Sequence, residues 1–525
     1  MLRGVMVAAT IAVGPAVLGA QSTVRTFRLM AGADTVSVEE VTRSPGRLEG
    51  HLLFPRGNQR WHYVATLGPS GEVLVFENDF RLASDTAGSA PRQRGRFTFL
   101  GDSVFISFDG PTPPPQRIGT KRGAMPFLNP SFGLMEQAVL RRRHAGSDSL
   151  AVVFFAVAAG QSFPTVMVPL GLDSIVVTLA GTPARFALAA DGTITGGAFP
   201  SQGMTLDVAR GAAGRFLAMS KPDYSAPADA PYTAESVTIP TPGGHRLAGT
   251  LTLPRGVRGR LPAVVTITGS GSQDRDEAIP AVKGYRPFRD LADALGRRGV
   301  AVLRMDDRGF GESEAGPGTP TSLDSAEDIR AGLAYLRGRS EIDGNRLGLI
   351  GHSEGGLIAP LVASTDSGLR GIVLLAGPGY TGRKILEFQN RYALERAAEV
   401  PPAVRDSILK AAVRTLDSLG TVQPWMKFFL EYDPLLTARK VRTPVLILQG
   451  ATDQQVTADQ AALLERAFTD GGNPDVTMEI YPATNHLFLA DADGNPSGYS
   501  ALKDVTLNRR MLRTLVDWVV KRLAR

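Results

Sequence analysis

Ser353 sits at the centre of Gly351-His352-Ser353-Glu354-Gly355, a G-x-S-x-G pattern. The apolar run Leu347-Gly348-Leu349-Ile350 enters this pattern, and Gly355-Gly356-Leu357-Ile358-Ala359 leaves it. The order reads as strand, sharp turn, helix. A serine at such a turn is lifted clear at the carboxyl end of a sheet, where a substrate can reach its hydroxyl. The pentapeptide alone is also compatible with an ordinary Gly-rich connection, so its partners decide the matter. A serine hydroxyl is a poor nucleophile until a base takes its proton, and that base needs a third group to fix its tautomer.

After a serine presented this way the partners follow in the order acid, then histidine. Of six histidines only His486 lies beyond His352 and Ser353, in Pro482-Ala483-Thr484-Asn485-His486 after the short strand Met478–Tyr481. Elimination makes it the candidate base, and activity is expected to rise with pH through about 6–7, where an ordinary imidazole loses its proton. His352 is read as packing, and His245 as part of an opening strand pair. The candidate acid is Asp453, because Gln449-Gly450-Ala451-Thr452-Asp453 continues directly from the apolar strand Val445–Leu448. Asp459 and Asp475 stand behind it. The oxyanion of an acyl-transfer intermediate needs backbone donors. One is the amide after the nucleophile, Glu354. The other is taken from the loop Thr268-Gly269-Ser270-Gly271-Ser272-Gln273-Asp274-Arg275-Asp276, with Ser270 first and Gly271 second.

The elements that must position these groups are legible around them. Apolar runs at Ala263–Ile267, Val300–Met305, Leu347–Ile350, Gly371–Leu375 and Val445–Leu448 have the character of strands buried on both faces. Helical stripes lie between them, including Phe288, Leu291, Ala292 and Leu295, and a final helix carries Leu512, Leu515, Val516, Val519 and Leu523. Strand–helix alternation predicts an α/β fold with a mostly parallel sheet and helices on both faces. Between about 379 and 442 the rhythm breaks into three helices bearing Phe388, Tyr392, Trp425, Met426, Phe428 and Phe429. This is the expected lid, and Trp425 and Phe429 are its candidate pocket residues.

Thr268-Gly269-Ser270-Gly271, Asp307-Arg308-Gly309-Phe310-Gly311-Glu312-Ser313, Gly351-His352-Ser353-Glu354-Gly355-Gly356, Gln449-Gly450-Ala451-Thr452-Asp453-Gln454-Gln455-Val456 and Asn485-His486 occur in one order along residues 235–525. As a set they resemble the α/β-hydrolases, on the side of bacterial serine esterases close to serine aminopeptidases and dienelactone hydrolases. The resemblance implies Ser353 as nucleophile, Asp453 as acid and His486 as base, with no metal or organic cofactor. Thr268 departs from the pattern, since many relatives have histidine before the oxyanion-loop glycine. Asp306, Asp307 and Arg308 read as loop-bracing residues.

Residues 21–220 are punctuated like an antiparallel β structure, with strands such as Val24–Met30, Leu48–Phe54, Trp61–Leu67 and Ser174–Leu179 separated by Gly/Pro/Asp turns. One helix is expected over Phe132–Arg142. The repeat length of a propeller blade is not present. His51, His62 and His144 show no metal-ligand spacing and read as strand or surface residues. Asp491-Ala492-Asp493-Gly494-Asn495 has Pro496 where a calcium loop requires glycine and reads as a turn. This β-rich region is expected to act as an accessory domain that shapes access to the site or mediates association. A Pro/Ala/Asp-rich linker follows at 221–232, and the hydrolase domain takes 233–525.

Arg3 and the apolar stretch Val5–Leu18, followed by Gly19 and Ala20, read as a secretory signal peptide over residues 1–20. An exported, secreted or periplasmic protein is therefore expected. The chain has 525 residues, a net charge of +6 and no cysteine, which excludes disulfides and a thiol nucleophile. Arg141-Arg142-Arg143 lacks interleaved aromatics, so nucleic acid is not an expected partner. The expected activity is hydrolysis of a small-molecule carboxylic ester through an acyl-enzyme. A peptidase using the same three side chains is the alternative, with Glu354 as a subsite for a charged peptide terminus.

Overall fold

The protein is described by a computed structural model covering residues 22–523, apart from 32–33, 56–58, 83–89, 110–113, 129, 145–150, 158–159, 180–181, 200–203, 212–221, 280–281 and 397–401. The leader expected at 1–20 lies outside the described residues.

Among these residues the N-terminal half forms one fifteen-stranded sheet. Its first meander comprises β1 (Thr23–Ala31), β2 (Asp34–Ser44), β3 (Arg47–Phe54), β4 (Gln59–Leu67), β5 (Val73–Leu82), β6 (Gln93–Phe99), β7 (Ser103–Phe108) and β8 (Gln116–Gly119). After β9 (Met125–Phe127) and helix α1 (Phe132–His144), a second meander follows. It comprises β10 (Ala151–Ala156), β11 (Gln161–Pro169), β12 (Ser174–Leu179), β13 (Thr182–Leu188), β14 (Ile194–Phe199) and β15 (Met204–Arg210). Pairing of β15 with β1 joins the two meanders into one sheet. Their far ends also meet, where Thr120 after β8 hydrogen-bonds Ser162 of β11.

The sheet wraps around α1, which explains how so polar a helix can be buried. Glu39 of β2 accepts from the amides of Phe132 and Gly133, at 2.5 and 3.1 Å, and so caps the helix. Tyr63 and Ser131 donate to the same carboxylate at 2.7 Å each. Glu136 is clasped by Arg25 and Arg43. Phe132 packs against Phe27, Phe186 and Phe199, drawn from both meanders.

The C-terminal half is a second sheet, built from β16 (Tyr232–Pro240), β17 (Arg246–Pro254), β18 (Leu261–Ile267), β19 (Ala301–Met305), β20 (Ile342–His352), β21 (Leu369–Leu375), β22 (Val445–Gly450) and β23 (Val476–Tyr481). The spatial order is β16-β17-β19-β18-β20-β21-β22-β23. The β16–β17 and β17–β19 pairs are antiparallel, and every later pair is parallel. Strands β18, β19, β21 and β22 are apolar and almost wholly buried because helices cover both faces. One face is packed by α3 (Ser322–Arg337), α4 (Glu354–Ala363) and α9 (Asp459–Asp470), the other by α2 (Pro287–Gly296) and α10 (Arg509–Leu523). In α2 the expected stripe Phe288, Leu291, Ala292 and Leu295 is buried. Helices α5 (Gly382–Arg396), α6 (Pro402–Val422), α7 (Pro424–Glu431) and α8 (Pro434–Ala438) interrupt the alternation between β21 and β22, where the lid was expected.

Candidate active site

Strand β20 runs through His352 and α4 begins at Glu354, so Ser353 alone makes the turn. Its backbone has φ 53° and ψ −118°, a conformation that a residue with a side chain adopts only under strain. The flanking glycines are required sterically. A Cβ on Gly351 would fall 2.0 Å from the Gly355 carbonyl oxygen, and one on Gly355 would fall 2.2 Å from that of Ile267. Gly269 also passes close, since a Cβ there would sit 3.2 Å from Cβ of Ser353.

His486 and Asp453, separated by 33 positions, meet in the core. His486 Nδ1 lies 2.7 Å from Asp453 Oδ2, and both residues are buried. Asp453 is held by the amides of Gln455 and Val456, at 2.8 and 2.9 Å on Oδ1, and by the Gln449 side chain at 3.0 Å on Oδ2. The two loops can approach this closely because Gly450 lacks a side chain. A Cβ there would be 2.3 Å from the Thr484 oxygen and 2.6 Å from that of Asn485. With Nδ1 engaged by the carboxylate, Nε2 is the ring nitrogen left for a substrate or nucleophile. Ser353 and His486 line one cavity, with no direct hydrogen bond between their side chains. Such contacts often tighten only once substrate is bound. The two fallback carboxylates are engaged elsewhere, Asp459 by Tyr380 and Asp475 by Arg522.

The loop after β18 is braced by two acidic side chains. Thr268 donates its hydroxyl to Asp307 at 2.7 Å, and the Gln273 amide donates to the other oxygen at 2.8 Å. Threonine thus supplies its own support at the position that departs from the resembled pattern. Burial pushes the Asp307 carboxyl up to about 8. The second brace, Glu277, belongs to no motif in the sequence. Its Oε1 accepts from the Gly269 amide at 2.7 Å and lies 2.9 Å from His352 Nδ1. His352 Nε2 lies 3.0 Å from the His486 carbonyl oxygen, and the two rings are 4.9 Å apart. Burial alone would neutralise His352, but the adjacent Glu277 carboxylate wins and raises its pKa above the ordinary value. In the protonated ring both nitrogens donate, one to Glu277 and one to the backbone of His486. His352, read from sequence as packing, therefore ties the loop after β18 to the loop bearing His486.

With Gly269 committed to Glu277, the next amide along the loop is that of Ser270, which lines the cavity beside Ser353 and Glu354. The Glu354 amide opens α4, where the helix dipole favours negative charge.

Parts of the chain are similar to known proteins. The model of the family described as "Serine aminopeptidase, S33" matches residues 283–493. Esterase EstD of Thermotoga maritima is 28% identical over 308 residues, covering 57% of this chain and 70% of that protein. The alpha/beta hydrolase domain-containing protein WAV2 of Arabidopsis thaliana is 26% identical over 188 residues, 35% of this chain and 54% of that one. The C-terminal half has the α/β-hydrolase fold. Among solved structures, the Pyrococcus furiosus esterase Pf2001 aligns at 17% identity with a TM-score of 0.38, over 58% of this chain and 97% of that one.

The site opens onto a cavity of about 650 Å³ with a largely apolar lining. The lid supplies Ile385, Leu386, Trp425 and Phe429, which brings both expected pocket residues to the cavity wall. The Trp425 and Phe429 rings stack with centroids 5.1 Å apart and planes 9° from parallel. Trp425 Nε1 donates to Glu354 Oε1 at 2.8 Å, and Ser322 donates to the same oxygen at 2.6 Å. Glu354, the residue after Ser353, thereby ties α7 to the start of α4. The N-terminal sheet also reaches the cavity, through Val36, Phe54, Gln59 and Met204. No sequence signal marks these four, because they meet the site only when the two halves pack together.

Proposed function

We propose that this hydrolase cleaves carboxylic esters through an acyl-enzyme on Ser353. His486 Nε2 takes the hydroxyl proton as the serine oxygen attacks the ester carbonyl. The oxyanion forms facing the amides of Ser270 and Glu354. Collapse expels the alcohol, which takes the proton from His486, and water then repeats the sequence to free the acid. Asp453 holds the ring with Nε2 toward the cavity and stabilises its positive charge. Each oxyanion donor is expected to contribute about 10²–10³ in turnover. The observation that carries this reading is His486, paired with the buried Asp453 and lining the same apolar cavity as a serine held on a strained turn.

An ester is favoured over a peptide because Glu354, the carboxylate that would receive a substrate amine, is already bonded to Ser322 and Trp425. The apolar lid and N-terminal wall suit a small acyl or aromatic ester. The accessory sheet limits access, and the leader over residues 1–20 directs export; Edman sequencing of the mature protein should begin at Gln21. A panel of p-nitrophenyl esters and aminoacyl anilides, with Ser353→Ala as control, tests the activity. Ester turnover lost in the variant is expected. Anilide turnover exceeding that of every ester would overturn the ester reading.

A further inference from the structure

We propose that the outer face of the N-terminal sheet carries a binding site for a late first-row divalent cation of the Zn²⁺ class, with Glu49, His51 and His62 as ligands. The sequence conceals it because the two histidines are brought together by strand register. His51 of β3 pairs directly with His62 of β4, and His62 pairs with Asp79 of β5. Glu49, two residues before His51, projects from the same face of β3. The donor atoms of Glu49, His51 and His62 lie within 4.8 Å of one another. Around a tetrahedral zinc with bonds of about 2.0–2.2 Å, ligand atoms are roughly 3.3 Å apart, so modest rotamer adjustments close the site.

The surroundings are arranged as a metal site requires. His62 Nε2 lies 2.9 Å from Glu49 Oε1, while its Nδ1 lies 3.0 Å from Asp79 Oδ2. Asp79 can therefore take the Nδ1 proton in a hydrogen bond and leave Nε2 as the ligand, the outer-shell arrangement that fixes a metal-bound histidine. Each carboxylate gives its other oxygen to an arginine. Arg47 holds Glu49 Oε2 at 3.0 Å, and Arg81 holds Asp79 Oδ1 at 3.2 Å. These pairs aim Glu49 Oε1 and Asp79 Oδ2 at His62. The His51 ring stacks on His62 at 4.6 Å. Imidazole and carboxylate donors together favour zinc, nickel or copper over calcium or magnesium. Any proton that His62 Nε2 carries against Glu49 leaves to solvent as the cation takes its place. Water completes the fourth position.

The competing arrangement is a protonated His62 clasped between two carboxylates with no cation affinity, and titration separates the two. Untagged, chelator-stripped full-length protein is titrated with Zn²⁺ against a chromogenic indicator, and Co²⁺ is used to report coordination by its visible absorption. One Zn²⁺ per chain is expected, with a Kd of about 1 μM or tighter. His62→Ala and the exposed-site variant His51→Gln should each weaken binding at least tenfold, and Asp79→Asn should weaken it about tenfold as an outer-shell partner. Circular dichroism checks the fold, and His51→Gln decides the case if His62→Ala is unstable. Absence of micromolar binding, or binding undiminished in the histidine variants, would overturn the proposal.

Discussion

Replacing Glu277 with alanine tests whether the loop after β18 and the loop of the proposed base His486 are held by one buried carboxylate. The substitution removes the acceptor for the Gly269 amide at 2.7 Å and the partner of His352 Nδ1 at 2.9 Å. Hydrogen bonds to a charged group contribute about 1.5–3 kcal/mol each, and an orphaned buried donor adds its own cost. The expected loss of stability is therefore about 3 kcal/mol or more, readable as a lower urea midpoint. Catalysis should fall further than stability accounts for. Freed from Glu277, Gly269 lets the Ser270 amide drift, and a lost oxyanion donor reduces turnover by about 10²-fold or more. Glu277→Gln separates geometry from charge. Its amide oxygen can still accept from Gly269, and its nitrogen can donate to a neutral His352, so kcat should stay within about tenfold of the parent. The assay is kcat on a p-nitrophenyl ester at saturation, alongside urea unfolding. A stable Glu277→Ala variant with parental kcat would refute the positioning role.

The other expectations follow the same contacts. Trp425→Ala removes both the ring stacked on Phe429 and the bond to Glu354, so the ratio of kcat/KM for long against short acyl esters should change about tenfold or more, as one to two methylenes of pocket are worth; an unchanged chain-length profile would return these aromatics to mere lid packing. Phe54→Ala opens the wall contributed by the N-terminal sheet, so kcat/KM should rise for bulky esters and hold for the acetate; equal effects across substrate sizes would argue against a gating sheet. Stability should carry the mark of Asp307, whose carboxyl is raised to about 8 by burial. The folded state then binds its proton more tightly than the unfolded chain, so that contribution is complete at acid pH and is lost as pH rises through about 8, with a slope of at most about 1.4 kcal/mol per unit. Urea midpoints between about pH 6 and 9 should decline in the parent and decline less in Asp307→Asn, where the amide can face the Thr268 hydroxyl; identical slopes would assign the titration to another group.

The parts of the site that were legible in the sequence are those whose chemistry is written in short range. The turn at Ser353 shows as glycines two positions either side of it, and the candidate acid Asp453 shows as the first carboxylate after the buried strand β22. His486 followed from there being only one histidine beyond the serine. Glu277 was invisible for the opposite reason. It belongs to no motif and becomes meaningful only when its loop folds back onto His352, 75 positions later. The accessory sheet shows the same division. Most of its strands announce themselves by alternation and turns, whereas β8, β9 and β15 were missed. The first two are only four and three residues long. Strand β15 has its identity set by pairing with β1 at the far end of the domain, which no local pattern records. His51 and His62 likewise acquire a relationship only through the register of their hairpin.

The most direct test of the proposed chemistry is fluorophosphonate labelling of the full-length protein followed by peptide mass mapping. A single adduct on the peptide containing Ser353 is expected, absent in Ser353→Ala and much slower to form in His486→Ala. An enzyme that keeps hydrolysing esters while Ser353 stays unlabelled, or that carries the adduct on a different residue, would contradict it.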